Sequence, residues 1–401
     1  MASGIQLARR IREVQPSATL AVDSKAKALQ AQGLDIVNFG AGEPDFNTPD
    51  HIVAAGVKAM SGGDTKYFAR RGAELKKQIC EKLKRENSLD YTPEQIVVSN
   101  GAKQSLFNLM QVLVDEGDEV IIVAPYWVSY LEQVRLAGGK PVVVETDERT
   151  AFKITAEQLE KAITPKTRLF IHNSPTNPTG TVYTPDEIRA IGAVIERKGI
   201  LALSDEIYER LIYGGIKPLS LAAVAPGLRN QVITVNGVAK TFSMTGWRIG
   251  WAAGPVEIMK AVQKFQSHAT SEAAAFSQAG AAEAYGNLKA SDEAARSMHE
   301  QFDARRKRMH ARLNQLPGVK CIEPLGAFYA FPNISGVFGR SFKGVTVKNP
   351  IDFCNVALEQ ALVAPVPGEA FGSRNHVRLS YATNMETIDK GLDRLAELLK
   401  K

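Results

Sequence analysis

The chain has 401 residues, 44% of them hydrophobic and 23% charged, with a formal net charge of +6. Such a composition is that of an ordinary globular protein, large enough for one main core and a smaller domain, and it excludes a disordered or low-complexity chain. The charge is mild for this length: the densest basic cluster, Arg305-Arg306-Lys307-Arg308, falls in a helical pattern and reads as a solvated face rather than a nucleic-acid patch.

The opening stretch, MASGIQLARRIREVQ, lacks the apolar segment of a secretory signal and reads as a short helix. Residues 17–32 follow as a helix opened by Ser17 after Pro16 and closed by Gly33. A short strand at 36–39 leads into the loop GAGEPDFNTP. Its Gly40-Ala41-Gly42 invites a dinucleotide reading, which fails because Pro44 stands where a phosphate loop needs its helix start. Helical patterns occupy 51–60 and 74–86, with the irregular GGDTKYFARRGAE between them. IVVSNGAKQSLFNLM then reads as a strand, a tight Asn100-Gly101 turn and a helix. Free N–H groups at such a helix start suit an anion.

Short apolar runs at 119–123, 141–145, 168–173, 200–203, 232–235 and 248–254 read as strands, and 184–198 as a helix among them. Together they suggest an α/β fold whose sheet is covered on both faces. Helices are expected at 256–268, 277–285 and 290–315. The tail from 318 alternates short strands (FYAFP, VRLSY) with helices at 351–361 and 385–400. Residues 1–46 and 300–401 are accordingly expected to form a small α/β domain, and 47–299 a large one. Three scattered cysteines, Cys80, Cys321 and Cys354, without CxxC spacing, argue against a disulfide framework or a metal site and suit the cytoplasm. No run of 18 apolar residues is present, so no membrane partner is expected.

The chemically distinctive residues fall just past strand C-termini, where open α/β sheets bind ligands. Lys240, in NGVAKTFSMTGWRIG, follows the apolar run VITV. Burial there lowers a lysine's pKa and frees its lone pair for imine formation. Arg248 and nearby hydroxyls can bind a phosphate. An imine-forming lysine beside a phosphate cradle suggests pyridoxal phosphate (PLP). Asp205, in SDEIY, can accept a hydrogen bond from the pyridine nitrogen, Tyr208 and Asn177 can bond the ring oxygen, and Trp127 can stack on the ring. Singly, each has an ordinary use: a solvated loop lysine, a helix cap, core packing, a turn.

As an ordered set, SPTNPTG, SDEIY, NGVAKTFSMTGWRIG and VRLSYA resemble the fold-type-I PLP-dependent aminotransferases. The similarity is greatest to the bacterial and plastid aspartate and prephenate aminotransferase subgroup. It runs from PSATLAV through AGEPDF, NGAKQ and PYWVSY to the C-terminus. The resemblance implies the three-layer PLP-dependent transferase fold with a mostly parallel sheet. It implies Lys240 as the imine-forming catalytic residue and Asp205, Tyr208, Asn177 and Trp127 around the ring. Gly101, Ala102, Arg248 and a neighbouring subunit's Tyr67 would hold the phosphate in a homodimer with shared sites. Arg378 would clamp the substrate α-carboxylate, Gly40 would lie along the substrate, and Lys103 with Thr19 would meet a distal carboxylate.

One stretch departs from that pattern. Where relatives resemble KYTPxxGIPELR, this chain has KYFARRGAELKK, without either proline and with Arg70 and Arg71. The extra charge either favours acidic substrates or faces solvent. The leading reading is ping-pong transfer of an amino group between L-aspartate and 2-oxoglutarate, with prephenate as an alternative acceptor. A lyase on the same fold is opposed by Lys103, which supplies a reason to hold a second carboxylate. A DNA-binding regulator is opposed by the absence of a helix-turn-helix pattern.

Overall fold

The computed structural model describes residues 5–66 and 69–400, so Tyr67 lies outside the described residues. Seven strands form the central sheet. Their spatial order is Ile96–Ser99, Gly250–Ala253, Val232–Gly237, Leu201–Asp205, Thr167–Asn173, Glu119–Ala124 and Lys140–Glu145. From Val232–Gly237 outward to Lys140–Glu145 every pairing is parallel. Gly250–Ala253 runs antiparallel to both of its neighbours. The other six strands therefore share one direction, and their C-terminal ends share one edge.

Side chains alternate between the faces of this sheet, as the two-residue strand period requires. Ile121, Phe170 and Ala202 join a core with the helices Ala69–Asn87, Ala156–Ala162, Pro185–Lys198 and Ala275–Gly286. Val120, Ile122, Leu169, Ile171 and Leu203 face the other way, against Ala102–Leu113, Ser129–Leu136 and Val256–Ala269. The fold is thus a three-layer α/β sandwich with a mostly parallel sheet. Local signals fix the helix ends: Thr184 and Glu187 form a capping box before Pro185, and Gly199 closes that helix in the left-handed conformation.

A second core gathers Val37 and Phe39 and Ile207, Tyr208, Leu211 and Tyr213 with residues from Met298 to Leu399. Backbone pairing ties the two chain ends together there. Val37–Asn38 pairs in parallel with Val363–Ala364, and Tyr329–Ala330 pairs antiparallel to Val377–Ser380. Arg378 rides on this last strand. Among the described residues no helix is long and apolar enough to cross a membrane.

Several elements differ from the sequence reading, two of them near the site. Strand 248–254 shrinks to Gly250–Ala253, because Arg248 adopts the left-handed conformation (φ 55°) and ends the extended run. The helix expected at 74–86 begins at Ala69, since no proline stops it. Arg71 is thereby drawn to Asp64 (2.6 Å) and Glu74 (2.7 Å). Its charge is met within the chain rather than offered to a substrate.

Candidate active site

The common edge of the parallel strands opens onto a cavity of about 530 Å³. Asp205 is the last residue of its strand, and Lys240 follows the end of Val232–Gly237 by three residues. Gly101 caps the helix Ala102–Leu113 with φ +86°, a conformation that favours glycine. The antiparallel strand presses against that turn: a Cβ on Gly250 would lie 2.1 Å from the Ala102 nitrogen. A Cβ on Gly101 would lie 2.4 Å from Arg248 Nη2. Glycine at both positions brings a helix N-terminus and a guanidinium together, an arrangement that suits an anion. Arg248 donates to the carbonyls of Thr245 (2.8 Å) and Asn100 (3.2 Å), which fixes its fork.

Lys240 is half-buried against the cavity, and its Nζ donates to the Gly42 carbonyl at 2.6 Å. Burial pulls its pKa down to about 8; Glu43 opposes this, while Arg248, Arg378 and Lys103 add to it. A useful fraction of free amine therefore exists near neutrality, as a nucleophilic lysine requires. Asp205 lies 5% exposed, and burial raises its carboxyl to about 6. Two donors oppose that rise: Tyr130 Oη at 2.7 Å and the Ile207 N–H at 3.3 Å. Tyr208 Oη lies 3.0 Å from Tyr329 Oη, and burial holds its phenol well above the ordinary range.

Arg378 is 2% exposed, yet it forms no ion pair with a carboxylate among the described residues. Its Nη1 donates to Asn177 Oδ1 (3.1 Å) and its Nη2 to the Gly40 carbonyl (2.9 Å). Nε has no partner. The guanidinium lies over the rings of Tyr329 (4.5 Å) and Phe371 (5.0 Å). Burial pushes its pKa down, but an arginine so placed stays charged. A buried cation with neutral acceptors and an idle donor suits an anion that comes from outside. Lys103 lies 5.0 Å from the Trp127 ring, and burial depresses its pKa as well. Thr19 contacts the cavity from the helix Ala18–Ala31 and hydrogen-bonds Ser17 at 3.1 Å.

The cavity wall thus brings together Lys240, Asp205, Tyr208, Asn177, Trp127, Gly101, Ala102 and Arg248, with Arg378, Gly40, Lys103 and Thr19 beside them. Three further residues of the wall went unnoticed in the sequence. Tyr130 bonds Asp205, Tyr329 bonds Tyr208 and underlies Arg378, and Glu43 accepts a 2.7 Å bond from Thr245. The motif PYWVSY contains Tyr130, but nothing in its spacing separates that tyrosine from a core residue.

Residues 34–395 match the family model for aminotransferase class I and II. The chain belongs to that family. It is 48% identical to an aspartate aminotransferase of Bacillus subtilis (strain 168), over 99% of this chain and 100% of that protein. It is 44% identical to an aspartate/prephenate aminotransferase of Nitrosomonas europaea, over 98% of this chain and 100% of that one. The crystal structure of an aspartate aminotransferase from Rhizobium meliloti superposes with a TM-score of 0.95 at 42% identity, covering 99% of both chains. The protein is a transaminase with the fold and chemistry class that the sequence motifs imply.

Proposed function

We propose that this aminotransferase moves the amino group of L-aspartate to 2-oxoglutarate with PLP as its cofactor. The observation that carries the reading is Arg378: a buried guanidinium with an idle Nε and no carboxylate partner among the described residues, facing the cavity of Lys240. An α-carboxylate satisfies it bidentately. Lys103 on the same cavity supplies a second cation for a distal carboxylate, which favours dicarboxylic substrates. The names of the relatives support the same substrate class.

The residues fit the cofactor. The Gly101–Ala102 helix start and Arg248 suit its phosphate, and Asp205 suits a pyridinium N–H. Tyr208 and Asn177 suit the ring oxygen, and Trp127 suits a ring face. When bound, PLP supplies an electron sink for negative charge at the substrate α-carbon. Asp205, held as an anion by Tyr130, keeps that sink protonated. Arg378 orients the substrate so that its α-hydrogen faces Lys240. The free amine of Lys240, favoured by its lowered pKa, takes that proton and returns it on the way to product. Lys103 and Thr19 fix the distal end and so select chain length and charge.

The assembly we propose is a cytoplasmic homodimer, with a small domain of residues 1–46 and 300–401 beside a large one of 47–299. An exposed stripe on one helix, Val53, Val57 and Met60, continues into exposed Phe276 and supports a second copy as its cover. Tyr67 of each copy would then complete its neighbour's phosphate seat. The free thiols of Cys80, Cys321 and Cys354 suit a reducing compartment. Prephenate is a second acceptor, supported by the aspartate/prephenate relative. Oxaloacetate release from L-aspartate and 2-oxoglutarate, followed by a coupled dehydrogenase, tests the main reading. Release of pyruvate and ammonia from a β-substituted alanine, with no amino transfer from L-aspartate to 2-oxoglutarate, would replace it with a lyase.

A further inference from the structure

We propose that Asp23 and Asn38 are positioning residues that aim Arg378 at the substrate carboxylate through the Gly40 carbonyl. Four consecutive hydrogen bonds run from the helix Ala18–Ala31 to the buried guanidinium. Lys27 Nζ donates to Asp23 Oδ2 (2.8 Å), and Asn38 Nδ2 donates to Asp23 Oδ1 (2.7 Å). The Gly40 N–H donates to Asn38 Oδ1 (2.9 Å), and Arg378 Nη2 donates to the Gly40 carbonyl (2.9 Å). Both ends of the Asn38 amide are thereby occupied, which sets its flip. The Gly40 backbone has little room to drift. A Cβ there would lie 3.1 Å from Asn38 Oδ1, 3.3 Å from Val22 and 3.5 Å from Val366.

Among the described residues Arg378 has two acceptors to orient its fork, Asn177 Oδ1 and the Gly40 oxygen. Asn177 is held from its own side, where its N–H donates to Asn173 Oδ1 (3.2 Å). The other acceptor is set by Asn38 and, behind it, by Asp23. Lys27 is mostly exposed, so its ion pair with Asp23 contributes little. The Asp23–Asn38 hydrogen bond reaches Arg378 through Gly40, while Asp23 and Lys27 also line the cavity. This gives the N-terminal helix a role in carboxylate affinity although it supplies no group to the α-carboxylate itself.

The inference rests on the aminotransferase reading of the site, and its test keeps the two apart. PLP-loaded wild type, Asp23→Ala, Asp23→Asn and Asn38→Ala are compared for KM and kcat with L-aspartate. Their dissociation constants for succinate, a non-reacting dicarboxylate, are measured by calorimetry. Loss of one such bond corresponds to about three- to tenfold in affinity. Asp23→Ala and Asn38→Ala should raise KM and the succinate Kd by that factor, with kcat and PLP affinity unchanged. Asp23→Asn retains an acceptor oxygen and should stay within about twofold of wild type. Wild-type succinate affinity in Asp23→Ala and Asn38→Ala would overturn the proposal, as would a matching loss in Asp23→Asn or parallel losses of kcat and PLP affinity. A wild-type enzyme that turns over no amino acid sinks the functional reading, while the succinate constants still judge the proposal.

Discussion

Replacing Arg378 by methionine separates function from stability at one position. The unbranched side chain keeps much of the arginine stem and removes the charge. Within the chain the guanidinium makes two hydrogen bonds to neutral acceptors and rests on two rings. Those contacts contribute about 1.5–3 kcal/mol each for charged donors, and desolvating the ion costs several kcal/mol in return. The two sides nearly cancel, so Arg378→Met should change unfolding stability by no more than about 1–2 kcal/mol. Substrate binding has no such cancellation. Losing a buried partner for a carboxylate costs about 3–5 kcal/mol, or roughly two to four orders of magnitude in kcat/KM. Denaturant titration of the apoprotein and steady-state kinetics with L-aspartate measure the two quantities. A kcat/KM within about threefold of wild type would refute the role of Arg378, because a buried bidentate contact cannot be lost so cheaply. A stability loss of about 3–5 kcal/mol would show a counter-ion that the site does not otherwise reveal.

Three other outcomes follow from the same geometry. Lys240 is protonated below its pKa of about 8 and free above it, so PLP uptake by the apoprotein should accelerate up to about pH 8 and level off; a rise continuing toward about pH 10, as for an exposed lysine, would contradict the burial effect. Asp205→Asn removes the anion that we propose for a pyridinium N–H, and should lower kcat by about 10²–10³ while far-ultraviolet circular dichroism stays native. Lys103→Ala should raise KM for L-aspartate by about tenfold or more and leave that for a monocarboxylic donor within about twofold; equal changes for both donors would remove Lys103 from the distal subsite.

The sheet was legible because each strand is a short apolar run between turns, and the helices because Ser17, Thr184 and Gly199 mark their ends. Lys240 and Asp205 were legible because charged groups stand at or just past the ends of apolar strands, whereas Arg378, inside Val377–Ser380, was legible only from the resemblance carried by VRLSYA. What stayed hidden depends on tertiary approach. Ser129–Leu136 went unassigned: it is eight residues long, and its N-cap, Val128, makes no side-chain cap bond. That helix carries Tyr130, whose hydroxyl meets Asp205 across 75 positions of sequence. Likewise, Gly250–Ala253 reads as one more apolar strand, and only its pairing reveals that it runs against its neighbours. The start of Ala69–Asn87 was missed because GGDTKYFARRGAE reads as irregular, while the ion pair from Arg71 near the helix start reaches back to Asp64.

The most direct test of the dicarboxylic transaminase is its first half-reaction, followed by absorption. Wild-type protein loaded with PLP should show the visible or near-ultraviolet band of the lysine-bound cofactor. L-Aspartate alone should bleach that band with release of one equivalent of oxaloacetate per site, and 2-oxoglutarate should restore it. A band indifferent to L-aspartate in the wild type, or an undiminished cycle of bleaching and recovery in Lys240→Ala, would contradict the function assigned to this site.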